Sequence, residues 1–163
     1  MFVHVLNRTL IVPASIEACW SFFSDPRNLP AITPPDLGLE IVGDVPATIY
    51  EGLMLSYLVR PIAGVPLSWL TEITHVDAPR YFVDDQRVGP FRVWHHEHFF
   101  TALDPGQTEV RDRIHYVLPL GPIGGAMHEL VVRHDLEKVF AFRETALRAM
   151  WPGARVPGLS SEV

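Results

Sequence analysis

The 163-residue chain carries 13 basic against 19 acidic residues, a net charge of −6, and its single lysine is Lys138, so too few cations are present to build a duplex-binding face. Hydrophobic residues make up 48% and prolines number 15, which describes a packed, apolar domain with stiff loop entries and excludes a disordered chain. The lone Cys19 excludes an internal disulfide framework, and the length fits one domain that buries about two thirds of its unfolded surface without such staples.

The opening run, M-F-V-H-V-L-N-R-T-L-I-V-P, has no basic segment ahead of an apolar stretch, and Asn7 and Arg8 interrupt it. The expectation is a cytoplasmic protein with neither a signal peptide nor a stable membrane insertion. Residues 3–12 are rich in β-branched and apolar side chains and stop at Pro13, which predicts a first strand. A helix should follow, with Ser15 as N-cap, Glu17 in its first turn, Ile16, Trp20 and Phe23 on one stripe, and Ser24-Asp25-Pro26 as its stop. Residues 27–32 predict a second short helix, ended by Thr33-Pro34-Pro35.

Glycine and proline punctuation then divides the chain into runs near 38–43, 52–59, 67–77, 80–88, 91–103 and 108–118, which predicts an antiparallel meander. In the last run Val110, Ile114, Tyr116 and Leu118 alternate with Glu109, Arg111, Arg113 and His115, so one face is buried and one is wet. Asp112 falls on the buried face. A long helical pattern covers residues 126–150, where Val132, Leu136, Val139, Leu147 and Met150 form a stripe with Arg143 in its middle, while Met127, Leu130, Val131 and His134 define another. Residues 152–163 read as an irregular tail beyond a single domain spanning residues 1–151.

The stretch from residue 81 to residue 100 is a predicted β-hairpin around Gly89-Pro90. Phe82, Asp84 and Gln86 share one face with Trp94, His96, His98 and Phe100. A three-residue loop at residues 89–91 opposes Asp84 to His96 and Gln86 to Trp94; a two-residue loop opposes Val83 to His96. The longer loop is adopted because it brings the two mixed faces together.

These residues resemble a known family. F-V-D-D-Q, G-P-F and W-x-H-x-H-x-F at residues 82–100 are similar to the signature of small bacterial START-like proteins of the polyketide-cyclase and lipid-transfer superfamily. Phe22-Phe23-Ser24-Asp25 with Asn28-Leu29, Thr33-Pro34-Pro35, Tyr116-x-Leu118-Pro119 and Phe140-x-x-Arg143 extend the likeness over residues 3–150. The resemblance implies an α+β helix-grip fold, a curved antiparallel sheet of about seven strands around a long C-terminal helix, with a ligand cavity between them. In that fold the Gly121-Pro122-Ile123-Gly124-Gly125 loop borders the cavity mouth.

Arg143 on an apolar helix stripe, with Asp84 and Asp112 on inward strand faces, predicts a buried ion pair, because a buried charge without a partner costs several kcal/mol. Trp69, Phe82, Trp94, Val139 and Met150 are the expected apolar wall; Asp84, Gln86, His96, His98, Asp112, Tyr116 and Arg143 are the expected polar end. His96-Glu97-His98 points two imidazoles the same way, as a metal site would, but strand His-x-His sites of double-barrel metalloproteins add a Glu about four residues on, where this chain has Ala102. Asp84 could take that place only in the right register. The reading is therefore without metal or cofactor, and no G-x-S-x-G, C-x-x-C or G-x-G-x-x-G is present. Cys19, beside Trp20, is read as a buried inert thiol.

The expected function is binding of a small hydrophobic or amphipathic ligand such as a lipid, quinone or polyketide. The resemblance leaves open a cyclase, dehydratase or aromatase using a His–Asp acid/base pair, or a protein-interaction module with a small cavity and an exposed apolar patch.

Overall fold

A computed structural model describes residues 2–62, 64–119 and 132–157. Seven strands form one antiparallel sheet: β1 (His4–Val12), β2 (Glu40–Val42), β3 (Met54–Ile62), β4 (Val65–Asp77), β5 (Tyr81–Val88), β6 (Val93–Asp104) and β7 (Gln107–Val117). Their order is β1-β7-β6-β5-β4-β3-β2, so a meander runs from β2 to β7 and β1 closes onto the far side of β7. Helix α1 (Ile16–Phe23) crosses between β1 and β2, and helix α2 (Arg133–Met150) ends the fold. A seven-stranded antiparallel sheet with this C-terminal helix is the helix-grip arrangement.

Local chemistry sets the boundaries. Pro13 follows the last residue of β1, and the Ser15 side chain accepts a hydrogen bond from the Ala18 amide at the start of α1. The short helix expected at residues 27–32 is instead a 3-10 helix, Pro26–Ile32, because Pro30 in its interior has no amide to donate to the Pro26 carbonyl as an α-turn requires. Asp25 caps it through the Arg27 amide and pairs with the Arg27 guanidinium. Pro105 and Gly106 connect β6 to β7, with Asp104 paired to Gln107.

The β5–β6 register opposes Asp84 to His96 and Phe82 to His98, as the longer hairpin loop requires. Backbone pairing stops at Asp85–His95. Beyond it the Gln86 side chain holds the turn, its amide donating to the Phe91 carbonyl at 2.6 Å and its oxygen accepting from the Phe91 amide at 3.3 Å. A Cβ on Gly89 would stand 2.3 Å from the Gln86 carbonyl oxygen, so glycine makes room for that amide.

The inner face of the sheet carries the core. One cluster gathers Leu10, Val12, Cys19, Leu55, Ile73, Phe82, Phe100 and Leu147; a smaller one joins Ile114 and Tyr116 to Phe140. Helix α2 turns Phe140, Arg143 and Leu147 inward. His134 is exposed on the other flank. The glycine-rich loop at 121–125 and Met127, Leu130 and Val131 lie outside the described residues. Past α2, residues 151–157 dock on the first strand: Arg155 and Ile11 exchange backbone hydrogen bonds of 2.9 and 2.8 Å, and Ala154 is buried. Among the described residues no helix is long and apolar enough to cross a membrane.

Candidate functional site

Between the inner face of the sheet, the 3-10 turns after α1 and the inward face of α2 lies a cavity of about 470 Å³. That volume is in the range of small-molecule sites. Its wall is mostly apolar. Leu55, Tyr57 and Val59 of β3 and Trp69, Thr71 and Ile73 of β4 form one side, Phe22, Phe23, Leu29 and Ile32 a second, and Leu136 and Val139 of α2 a third. Phe91, Trp69 and Trp94 pack edge to face or tilted at one end, with centroids 4.7 to 5.8 Å apart.

The floor is ionic. Asp84, His96, His98 and Arg143 line it, and Asp112 lies beneath them, 6% exposed. Strand register assembles this group: Asp84 stands opposite His96, and His98 opposite Asp112, on the same face of three adjacent strands. His98 Nε2 lies 2.8 Å from Asp84 Oδ2, and His96 Nε2 lies 3.0 Å from Asp112 Oδ1. His96 Nδ1 is 3.4 Å from Asp84 Oδ2. His98 Nδ1 approaches Asp112 Oδ1 to 2.9 Å, but out of line with the ring N–H, so this is a charge contact and not a formed hydrogen bond. Arg143 Nη1 reaches Asp112 Oδ2 at 3.5 Å while its guanidinium lies over the Phe140 ring. Phe82 stacks on His98 at 4.0 Å, and the two imidazole centroids are 3.8 Å apart.

The electrostatics follow from this packing. Burial works against ionisation of both aspartates, yet His96 and His98 beside it hold Asp84 below the usual carboxylate range, and Arg143 with both histidines holds Asp112 well below it. Burial depresses His96, and the neighbouring His98 charge depresses it further. His98 goes the other way: burial lowers it, but the Asp112 contact and the Asp84 hydrogen bond outweigh that and raise it. When His98 carries its proton and His96 does not, two carboxylates, Arg143 and His98 sum to zero. An ionic group that is neutral as a whole can be buried where a single charge could not.

The positions expected from sequence divide accordingly. Trp69, Phe82, Asp84, Trp94, His96, His98, Val139 and Arg143 line the cavity. Gln86, Asp112 and Tyr116 do not: Gln86 closes the hairpin, Asp112 underlies the histidines, and Tyr116 is packed with Ile114, Phe91 and His4. Met150 lies at the last residue of α2 and is 40% exposed, so it is no part of the wall. The predicted ion pair forms between Arg143 and Asp112. Asp84, His96 and His98 also each offer a ligand atom within 4.8 Å of the others, so the register condition for a third donor is met.

Sequence reasoning missed the β3 face, although Leu55, Tyr57 and Val59 alternate with Ser56, Leu58 and Arg60 at the same period that revealed β7. Tyr57 is the main omission. Burial and the Asp84 charge push its hydroxyl well above the ordinary tyrosine range, so it remains a neutral donor near the floor.

No curated protein matches this chain. Solved structures do. A START superfamily protein from Mycobacterium smegmatis superposes with a TM-score of 0.68 at 19% identity, over 91% of this chain and 97% of that one. The Zhui aromatase/cyclase from Streptomyces sp. R1128 gives 0.65 at 19% identity, over 93% and 98%. Norcoclaurine synthase from Thalictrum flavum, solved with dopamine and hydroxybenzaldehyde, gives 0.64 at 17% identity, over 91% and 86%. At these identities the likeness is one of fold. The model of the polyketide cyclase / dehydrase and lipid transport family matches residues 12–142, and the chain belongs to that family.

Proposed function

We propose that this protein binds a small hydrophobic or amphipathic ligand of the lipid, quinone or polyketide kind between the sheet and α2, and does so in the cytoplasm. The observation that carries the reading is the cavity itself: about 470 Å³, walled mostly by apolar and aromatic side chains, with Asp84, His96, His98 and Arg143 gathered at its floor. Such a space takes an apolar body into the wall and turns a carbonyl, phenol or carboxylate toward the floor. The family description names lipid transport beside cyclase and dehydrase chemistry, in keeping with either carrier or catalyst. Cys19, buried and unpaired, suits a reducing compartment.

A second reading has its own support. His96 and His98 face the cavity, each beside a carboxylate, which is the arrangement a cyclase or dehydratase would use to move a proton on a poly-carbonyl substrate. A protein-interaction module is less well supported, because it predicts a small cavity.

The test is titration with N-phenyl-1-naphthylamine, whose emission rises in apolar surroundings, followed by displacement with fatty acids, quinones and aromatic polyketides. Saturable binding that is displaced by one class, and lost when Leu55→Trp fills the wall, is the expected result. Absence of binding, or binding indifferent to Leu55→Trp, contradicts the proposal. Turnover by the wild type that vanishes in His98→Gln decides for the catalyst.

A further inference from the structure

Hydrogen-bond arithmetic at the floor leaves something over. His96 and His98 present four ring nitrogens to two carboxylates. Two of them, His96 Nε2 and His98 Nδ1, lie 3.0 and 2.9 Å from Asp112 Oδ1, on the side away from the cavity. The other two, His96 Nδ1 and His98 Nε2, lie 3.4 and 2.8 Å from Asp84 Oδ2, on the side that lines it. Two neutral imidazoles carrying their protons toward Asp112 would leave a bare nitrogen of each ring on the Asp84 side, with His98 Nε2 in hydrogen-bond line with that carboxylate and His96 Nδ1 3.4 Å from it.

We propose that His96, His98 and Asp84 form a binding site for a divalent first-row transition ion, of the Zn²⁺, Fe²⁺ or Co²⁺ class, opening into the cavity. The donor types are two imidazoles and one carboxylate, a set that holds such ions with positions left free for an exogenous ligand. Ligand atoms about 2.1 Å from an ion stand about 3.0 Å apart in octahedral and about 3.4 Å apart in tetrahedral geometry, and the Asp84 contacts of 2.8 and 3.4 Å fall close to these values. The three donor atoms all lie within 4.8 Å of one another, so binding draws the two imidazole nitrogens together. The backing also fits. Metal-binding histidines commonly turn their second nitrogen to a carboxylate that fixes the ring, and Asp112 faces the second nitrogen of both, itself held by Arg143. His98 Nδ1 is out of line with Asp112, so the backing on that side is a charge contact, while His96 Nε2 is hydrogen-bonded.

The ion also fixes the chemistry of what shares the cavity. Binding through Nε2 releases to solvent any second proton that His98 carries, and with both imidazoles then neutral, a divalent ion, Arg143 and two carboxylates leave one positive charge. An anionic oxygen on the ligand, such as an enolate, phenolate or carboxylate, neutralises it from the open side. The site stands on the side-chain geometry alone and is independent of whether a hydrophobic ligand is found.

The experiment is titration of chelator-stripped protein with Co²⁺ and Zn²⁺, with no organic ligand present. The expected result is one ion per chain, with visible Co²⁺ absorption bands, and affinity lost by at least tenfold in Asp84→Asn and in His98→Gln. Asp112→Asn should weaken binding by about 10- to 100-fold while preserving the 1:1 ratio. His95→Gln is the surface control, since His95, His115 and Asp85 form a separate cluster outside the cavity. Its binding should match the wild type. In unsubstituted protein, which removes any question of misfolding, Zn²⁺ should shift the ring nitrogen signals of His96 and His98 and leave those of His95 and His115. No stoichiometric ion at micromolar concentration overturns the proposal, as does binding that His95→Gln abolishes and Asp84→Asn spares. Dye titration in excess chelator reports the cavity separately, so failure of the metal site and failure of ligand binding give different results.

Discussion

Asp112→Asn is the substitution that most sharply tests the charge balance under the cavity. The change is nearly isosteric and leaves an oxygen able to accept the His96 hydrogen bond, but it removes the one carboxylate that touches His96, His98 and Arg143 at 3.0, 2.9 and 3.5 Å. The floor then carries an uncompensated positive charge at a position where Asp112 is 6% and Arg143 9% exposed. Breaking a buried pair from one side costs about 3–5 kcal/mol, and the retained hydrogen bond places the expected loss at about 3 kcal/mol. For a domain of this length that corresponds to a fall in Tm of about 6–12 °C. Arg143→Met on the same background restores neutrality and should recover most of the loss, since replacing both partners of a buried pair is often close to neutral. Urea denaturation of the four proteins, in chelator, measures the coupling directly. A loss below about 1 kcal/mol for Asp112→Asn, or single-site losses that simply add in the double variant, refutes the charge-balance argument.

Other expectations concern neighbouring features. Glu97, buried on the outer face, accepts 2.5 and 2.7 Å bonds from Arg113 and one from the Tyr81 hydroxyl, so Glu97→Gln should cost about 1–2 kcal/mol in the same denaturation assay. Burial pushes the Cys19 thiol above its ordinary pKa, and the residue is fully enclosed, so maleimide labelling should be absent in the native protein and immediate in urea. Asp84 and Asp112 have depressed pKa values, so the unfolded chain takes up protons before they do. Their stabilisation is present above about pH 4 and is lost as pH falls through their folded values, giving a steep acid limb that should be shallower in Asp84→Asn. The histidines act at higher pH with opposite senses. His98, raised, stabilises below about pH 6.5 and loses that contribution as pH rises through its folded value, whereas His96, lowered, loses stability as pH falls below about 6.5.

Much of the site could be read in the sequence because its logic is local or binary. Gly89-Pro90 located the hairpin turn, and period-two alternation put Asp84, His96, His98 and Asp112 on inner faces where charge has to be matched. Arg143 stood out for the same reason on a helix. What escaped reading depends on contacts that periodicity does not encode. Gln86 has the alternation of a cavity residue, but backbone pairing ends one residue earlier and its amide is drawn into the turn. Met150 keeps the helical spacing of the stripe, yet it is the last residue of α2 and lies 40% exposed. Tyr116 points inward and is covered by Phe91 and the smaller core cluster before it can meet the cavity. Phe22 and Phe23 of α1 and Leu29 and Ile32 of the 3-10 helix enter the wall through packing between elements distant in sequence, and residues 151–157 dock through backbone bonds to β1. A pattern within one element carries none of this.

The most direct measurement is native mass spectrometry of the protein purified from its expressing cells, followed by extraction and identification of whatever it carries. The expected result is a stoichiometric lipid, quinone or polyketide-like molecule, released by organic solvent and excluded by Leu55→Trp. A protein that arrives empty, and stays empty when offered a panel of such compounds, contradicts it.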